Sequence, residues 1–307
     1  MRLLVIFVAA AAVLSAACSP AAAGFSRGGS FTAPGYGARA WGMGGAAVAW
    51  GSDEGATYWN PALLSLLDEG RLGFSYVNLV ADATARHSYL AYARALKRGT
   101  ADDPDLVFNE HAFGALYGNL LLELSDGRKY TENSLLIGYS YSPEHFVSIG
   151  ASVNVLLSSG DIGDFDAKGT AVNLGARALL LEHLTLGVVC RNMFSRVMFD
   201  TGEDYALQRT LTLGLACSIP PNATIEGDVV GAYGGIARVV LGGEATFFSD
   251  VLSLRGGMSG VTTGDNRILP HMGIGVHLSR IRLDYNANFD TAEAFGNTHR
   301  FSLSIGL

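Results

Sequence analysis

Charge is what this sequence has least of: Asp, Glu, Lys and Arg make up 16% of the 307 residues, and the net charge is −7. The basic face that a nucleic-acid partner would want is therefore missing. Long apolar runs are missing too, since nothing after the first two dozen residues approaches the roughly 18 that a spanning helix needs. Catalytic signatures are equally scarce. There is no Ser-His-Asp spacing, no phosphate loop and no zinc motif. Gly42-Met43-Gly44-Gly45 lacks the following lysine and the strand-helix unit of a nucleotide loop. These absences argue against an enzyme and imply no cofactor or metal. What is present is hydropathy (a mean of +0.26) and 39 glycines. High hydropathy without long apolar runs suits an alternating membrane barrel, whose strands show only half their residues to lipid.

The N-terminus reads as a secretory signal: Met1-Arg2, an apolar core Leu3 to Leu14, and small residues Ala21-Ala22-Ala23 before Gly24. Cys18 sits in a stretch that loosely resembles a lipoprotein cleavage box, with Leu14 one position too early for it. The expected organisation is a signal peptide over 1–23, a plug over 24–70 and a barrel over 71–307.

From Arg71 onward, segments of 8 to 12 residues alternate apolar with small or polar, and turn residues separate them. At the C-terminus Phe301, Leu303, Ile305 and Leu307 oppose Arg300, Ser302, Ser304 and Gly306. The polar face is rich in Gly and Ser rather than Lys and Glu, which suits a crowded lumen. About fourteen strands result: 71–79, 85–96, 112–122, 133–142, 145–156, 169–181, 183–193, 205–218, 222–232, 237–248, 251–260, 269–279, 281–289 and 299–307. The third is Leu-rich enough to be a short helix instead. Tight turns such as Ser279-Arg280 alternate with longer polar loops, as in barrels whose turns and termini face the periplasm. The stretch 97–111 is long for such a turn, and 233–236 is short for an outer loop. The fold class is thus all-β, a transmembrane up-and-down antiparallel barrel with an N-terminal plug.

The phase of the strands collects Arg177, Arg191, Glu226, Asp228, Arg238, Glu244, Arg255, Arg282, Asp284 and Arg300 in the lumen. A one-residue slip around Arg238 would turn Arg238 and Glu244 to lipid. Each would then cost roughly 2–4 kcal/mol near the midplane, less for Glu. Because charges on adjacent strands alternate in sign, mutual pairing into a lattice that braces wall and plug is favoured over a selectivity lining for a solute. His271 and His277 share this face and read as structural. Cys190 and Cys217 sit at opposite ends of consecutive strands, roughly 20 Å apart, where a disulfide needs about 7 Å. Free, lipid-facing thiols are expected at both.

Residues 24–70 do not alternate. Asn60 suits a helix N-cap and Pro61 the first helical position. Leu63, Leu64, Leu66 and Leu67 form an apolar stripe, and Gly70 could end the helix. Gly42, Gly44 and Gly45 permit close backbone packing. The run Gly-Ala-Arg-Ala-Trp-Gly-Met-Gly-Gly-Ala (37–46), the acidic step at 53–54 and Tyr-Trp-Asn-Pro-Ala (58–62) resemble the N-terminal signature of the FadL/PorV superfamily of outer-membrane barrels. Phe74 to Ala93 brings the resemblance closer to the PorV/PorQ branch; it covers roughly 35–96.

That resemblance implies a fourteen-stranded barrel in the bacterial outer membrane with a hatch in its lumen, to which Asn60, Pro61 and Ala62 carry over. FadL-type members pass long-chain fatty acids and other hydrophobic compounds, whereas PorV-type members serve type IX secretion. The chain is shorter than typical members, so its outer loops are small. Two expectations follow. One is passive transport of small hydrophobic molecules with Gly42, Met43, Gly44, Gly45, Asn60, Pro61 and Ala62 as gate. The other is a non-conducting barrel that docks a secreted-protein partner on loops such as 193–206, which carries Met193, Phe194, Val197, Met198, Phe199 and Tyr205. Either way outer-membrane lipid surrounds the wall.

Overall fold

The structure is a computed structural model that describes residues 35–51, 53–80, 84–98, 109–161, 166–232, 235–261, 267–289 and 297–307. The expected signal peptide and Cys18 lie outside these residues. The strands are β1 (Arg71–Val80), β2 (Thr84–Arg98), β3 (Asn109–Glu123), β4 (Lys129–Glu144), β5 (Val147–Gly160), β6 (Ala167–Leu181), β7 (Leu184–Phe199) and β8 (Asp204–Tyr205). They continue as β9 (Thr210–Ile219), β10 (Ala223–Ala232), β11 (Gly235–Phe247), β12 (Leu252–Val261), β13 (Arg267–Leu278), β14 (Ile281–Asn288) and β15 (Thr298–Gly306). Each long strand pairs antiparallel with its neighbour in sequence, and β1 pairs with β15 from Arg71↔Gly306 to Asn78↔His299, which closes the barrel. β8 only doubles back on the end of β7, at Val197↔Tyr205 and Met198↔Asp204. The wall is therefore fourteen-stranded, and closure leaves no long edge with unpaired backbone.

Period-two alternation holds around the wall. On β4, Leu135, Ile137, Tyr139 and Tyr141 are exposed outward while Ser134, Leu136 and Ser140 are buried inward. On β13–β15 the exposed large apolar residues are Ile268, Met272, Ile274, Leu278, Ile281, Leu283 and Phe301. The Leu-rich third segment is a strand, because an inward face of Ala112, Gly114, Leu116 and Gly118 and partners on both β2 and β4 satisfy its backbone.

The wall is uneven in height. β2 to β7 run to 14–16 residues, whereas β9, β10, β12, β14 and β15 have 8–10. A membrane strand needs about 9–11. At the loop end of the tall strands the outward positions turn polar: Arg86, Asn119, Asn133, Ser159 and Lys168. The segment expected to be the loop 193–206 belongs to this end of the wall. β7 runs on to Phe199, because Val197 faces inward and is buried with Leu156, Ala167, Ala171 and Leu207, an apolar cluster that a free loop would forfeit. Likewise β2 and β3 reach into the long connection expected at 97–111, and what joins them at 99–108 lies outside the described residues.

The cysteines give one correction. Cys190 is level with Leu211 and Cys217 with Leu184, so the two are far apart on one hairpin. Cys217 is free and exposed on the outer face. Cys190, however, is buried and disulfide-bonded. The separation argument excluded Cys217 as its partner but did not make it a free, lipid-facing thiol.

Candidate functional site

Residues 35–51 and 53–70 fill the lumen. A five-residue helix, Ala38–Gly42, opens the segment, and the chain then turns through Gly44 (φ 75°) and Gly45 (φ 88°), a left-handed conformation that glycine adopts without steric cost. A helical turn at Ala56–Trp59 follows, then a 3-10 helix over Pro61–Leu66. Asn60 caps that helix: its Oδ1 accepts the Ala62 N–H at 3.0 Å. Its Nδ2 donates to Val48 O within the hatch at 2.7 Å and to Ala176 O of the wall at 3.2 Å. Asn60 thus ties two hatch segments to β6 at once. The helix is tighter than an α-helix and ends at Leu66, four residues short of Gly70; a 3-10 turn brings Leu63, Leu64 and Leu67 into full burial.

One side of the hatch is apolar. Leu63, Leu64, Leu67 and Ala56 pack with Ala93 of β2 and Ala112 of β3. Tyr36, Ala40, Ala47, Tyr58 and Trp59 pack with Tyr89 and Ala91 of β2, Leu116 of β3 and Leu136 of β4. The wall admits this close approach because it is lined with glycine here. A Cβ on Gly150 of β5 would collide with the peptide between Pro61 and Ala62.

The opposite side is charged. Glu226 and Asp228 on β10 do not reach across to a wall arginine; they accept backbone amides of the hatch. The Val48 and Ala49 N–H groups donate to Glu226 Oε1 at 2.7 and 2.6 Å, and the Ala47 N–H donates to Asp228 Oδ2 at 3.2 Å. Next to them runs a chain of ion pairs. Arg39 of the hatch meets Asp53 Oδ2 at 3.2 Å and Glu244 Oε2 at 3.1 Å. Glu244 also accepts from Arg255 Nε, and Arg255 Nη1 reaches Asp284 Oδ1 at 2.6 Å. Glu244, Arg255 and Asp284 are nearly inaccessible to solvent, so each depends on its partner: breaking a buried pair costs about 3–5 kcal/mol. Among the described residues Arg238 and Arg282 form no hydrogen bond or ion pair.

Two further wall arginines close on hatch carbonyls. Arg191 Nη2 donates to Trp59 O at 2.7 Å and lies 4.3 Å from the Tyr58 ring centroid. Arg300 Nη1 donates to Gly35 O at 3.0 Å and sits over Trp41. His271 bridges Ser259 Oγ and Asn288 Oδ1 and stacks near Trp41. Met43 is buried against Val240, and Gly42 meets the backbone of Gly273 so closely that neither could carry a side chain without movement. Arg177 donates to His145 O and braces a turn.

The ten lumen charges singled out in the sequence thus all face inward, but they do not form the wall-to-wall lattice that alternating signs suggested. Only Glu244, Arg255 and Asp284 pair with one another; Glu226, Asp228, Arg191 and Arg300 hold hatch backbone. Arg39, Asp53 and Glu54 join the site too; the sequence marked them only as part of the resemblance, not as lumen charges. Arg39 is the only charged residue in 35–51, and that isolation in an apolar run was the available signal. Glu54 is buried and accepts from Ser304 Oγ at 2.9 Å. Burial, and after it the negative charge of Asp53, push its carboxyl up to about 7.

No family model matches the chain, and no curated protein matches it. Solved structures share its fold. The toluene transporter TodX of P. putida superposes with a TM-score of 0.66 at 15% identity, over 89% of this chain and 99% of that one. The CymD monoaromatic hydrocarbon channel gives 0.62 at 12%, over 90% and 97%. A FadL homologue of Pseudomonas aeruginosa gives 0.59 at 12%, over 87% and 97%.

Proposed function

We propose that the protein is a bacterial outer-membrane channel of FadL type that passes small hydrophobic compounds, long-chain fatty acids or monoaromatic hydrocarbons among them, when the hatch shifts. The observation that carries this reading is how the hatch is held. It forms no strand of the wall; its charged side is retained by side chains of Glu226, Asp228, Arg191 and Arg300 acting on hatch backbone. Such contacts can be exchanged for water without opening the barrel. The shared fold with hydrocarbon channels supports the same reading. An exported chain, turns on the periplasmic side and loops outside complete it.

The alternative, a non-conducting barrel that binds a secreted protein as PorV-type members do, would want a large apolar outer loop. The apolar stretch from Met193 contributes instead to β7, with Val197 inside the barrel. No observation favours it specifically.

The test is uptake into liposomes carrying the purified protein, using toluene and a labelled long-chain fatty acid. Pro61→Gly loosens the start of the 3-10 helix while leaving the wall intact, so we expect uptake above empty liposomes in the parent and a several-fold rise in the variant. A folded, inserted protein that moves neither solute would end the transport reading.

A further inference from the structure

We infer that a cavity on the tight-turn side of the hatch is a binding site for a single anionic group, a carboxylate or phosphate, centred on Arg282. The cavity measures about 470 Å³ and lies between Arg39 and Trp50 of the hatch and Arg71, Arg255, His277 and Arg282 of the wall, with the carboxylates of Asp68, Glu244 and Asp250 also on its lining and the turn Pro220–Asn222 at its rim. Four guanidinium groups therefore line one space, and their partners can be followed one by one. Arg39 is taken by Asp53 and Glu244. Arg255 is taken by Glu244 and Asp284. Arg71 is taken by Asp68 and Glu69. Arg282 has no hydrogen-bond or ion-pair partner among the described residues, although it is half-buried. The carboxylate two residues along its own strand, Asp284, is committed to Arg255.

The neighbour across the ladder reinforces the point. His277 is directly opposite Arg282 on β13, and its Nε2 is enclosed without a partner. A half-buried guanidinium with carboxylates nearby but none directly paired to it retains unused donors, and an anion from outside the chain could take them. The guanidinium fork matches the two oxygens of a carboxylate or phosphate. The cavity is also roomier than a bare anion needs and falls in the range of small-molecule sites. An organic acid or phosphate ester would fit, with its body toward Trp50. Two sources share this chemistry: a soluble anion on the tight-turn side, or the acid end of an amphiphile that has come past the hatch.

Calorimetric titration of the purified full chain in detergent would separate them, with inorganic phosphate, acetate, octanoate and octanol as probes. Arg282→Gln keeps length and removes charge, His277→Gln tests the same site from the opposite strand, and Arg238→Gln removes a second lumen guanidinium without a direct partner as a control. We expect anion binding that weakens at least tenfold in Arg282→Gln, weakens less in His277→Gln and stays unchanged in Arg238→Gln. Binding of phosphate or acetate assigns a soluble source, and binding of octanoate alone assigns an amphiphile. Equal binding of octanol and octanoate, equal loss in Arg238→Gln, or no Arg282-dependent binding in protein with normal heat-modifiable gel mobility would overturn the proposal. None of these results bears on toluene uptake, so this site and the transport reading fail separately.

Discussion

On the β2–β6 half of the lumen the hatch meets Leu116, Leu136 and Ala112 through its own leucines and aromatic rings; on the β10–β15 half it meets Glu226, Asp228 and Glu244 through backbone amides and Arg39. The first contact is dry and depends on shape. Moving the leucines would open cavities that cost about 2–5 kcal/mol for each large side chain removed. The second contact is polar, and water can replace each of its partners as it parts, so a net loss of about 1.5–3 kcal/mol per hydrogen bond to a charged group is expected. On the proposed transport reading, the apolar half is the anchor and the charged half the side on which the hatch lifts. This arrangement also fits the uneven wall, whose tall strands back the anchored side.

This contrast can be broken from either half. The largest effect should come from Leu64→Asp, which places an unpaired carboxylate among Leu63, Leu67 and Ala112. Loss of apolar burial plus an unpaired buried charge should cost on the order of 5 kcal/mol. The hatch should leave its seat as a unit, giving rapid protease cleavage within 35–70 while the wall keeps its heat-modifiable gel mobility. An equally protected hatch in this variant would remove the distinction between anchor and latch.

Glu226→Ala should do less and do it locally. Val48 and Ala49 lose the oxygen they share, at about 1–3 kcal/mol for each buried donor left unpaired. Amide exchange should quicken at Val48 and Ala49 and stay slow at Leu63 and Leu64. Uniform quickening along the hatch would mean that the two halves open together.

The smallest effect concerns pH. With its folded-state pKa raised from the ordinary carboxylate range to about 7 by burial and by Asp53, Glu54 favours the seated hatch while protonated. That contribution is complete below about 4.5 and is lost as pH rises through about 7. Hatch protection against exchange should therefore decline between pH 5 and 7.5, and Glu54→Gln should flatten the decline. A parent protein with no pH dependence over that window would show that Glu54 is already relaxed by solvent.

Much of this was legible beforehand in the wall and little of it in the hatch. A strand has a period of two residues, so one face of β13–β15 could be read as outward from Met272, Ile274 and Phe301 alone, and the inward placement of Arg255, Asp284 and Arg300 followed from register. The reach of β7 was not legible, because Val197 prefers the barrel only when Leu156 and Leu207 are there to meet it. Nor could alternating charge signs reveal that Glu226 would take hatch amides, since the competing acceptors and donors arrive from 178 residues away.

By itself, then, the amino-acid order determined strand positions, the lipid-facing and lumen-facing sets, and a non-alternating glycine-rich segment that had to be something other than wall. These are local properties, set by side-chain alternation, proline and glycine within a few residues. The tertiary structure alone decided which charge meets which partner: Arg39 with Glu244 across 205 residues, Arg300 with the carbonyl of Gly35 across 265, and Arg282 with none among the described residues. The reason is geometric. Closing the sheet brings the lumen faces of fourteen strands around one short segment, and partners there are chosen by proximity in the closed barrel rather than by order along the chain.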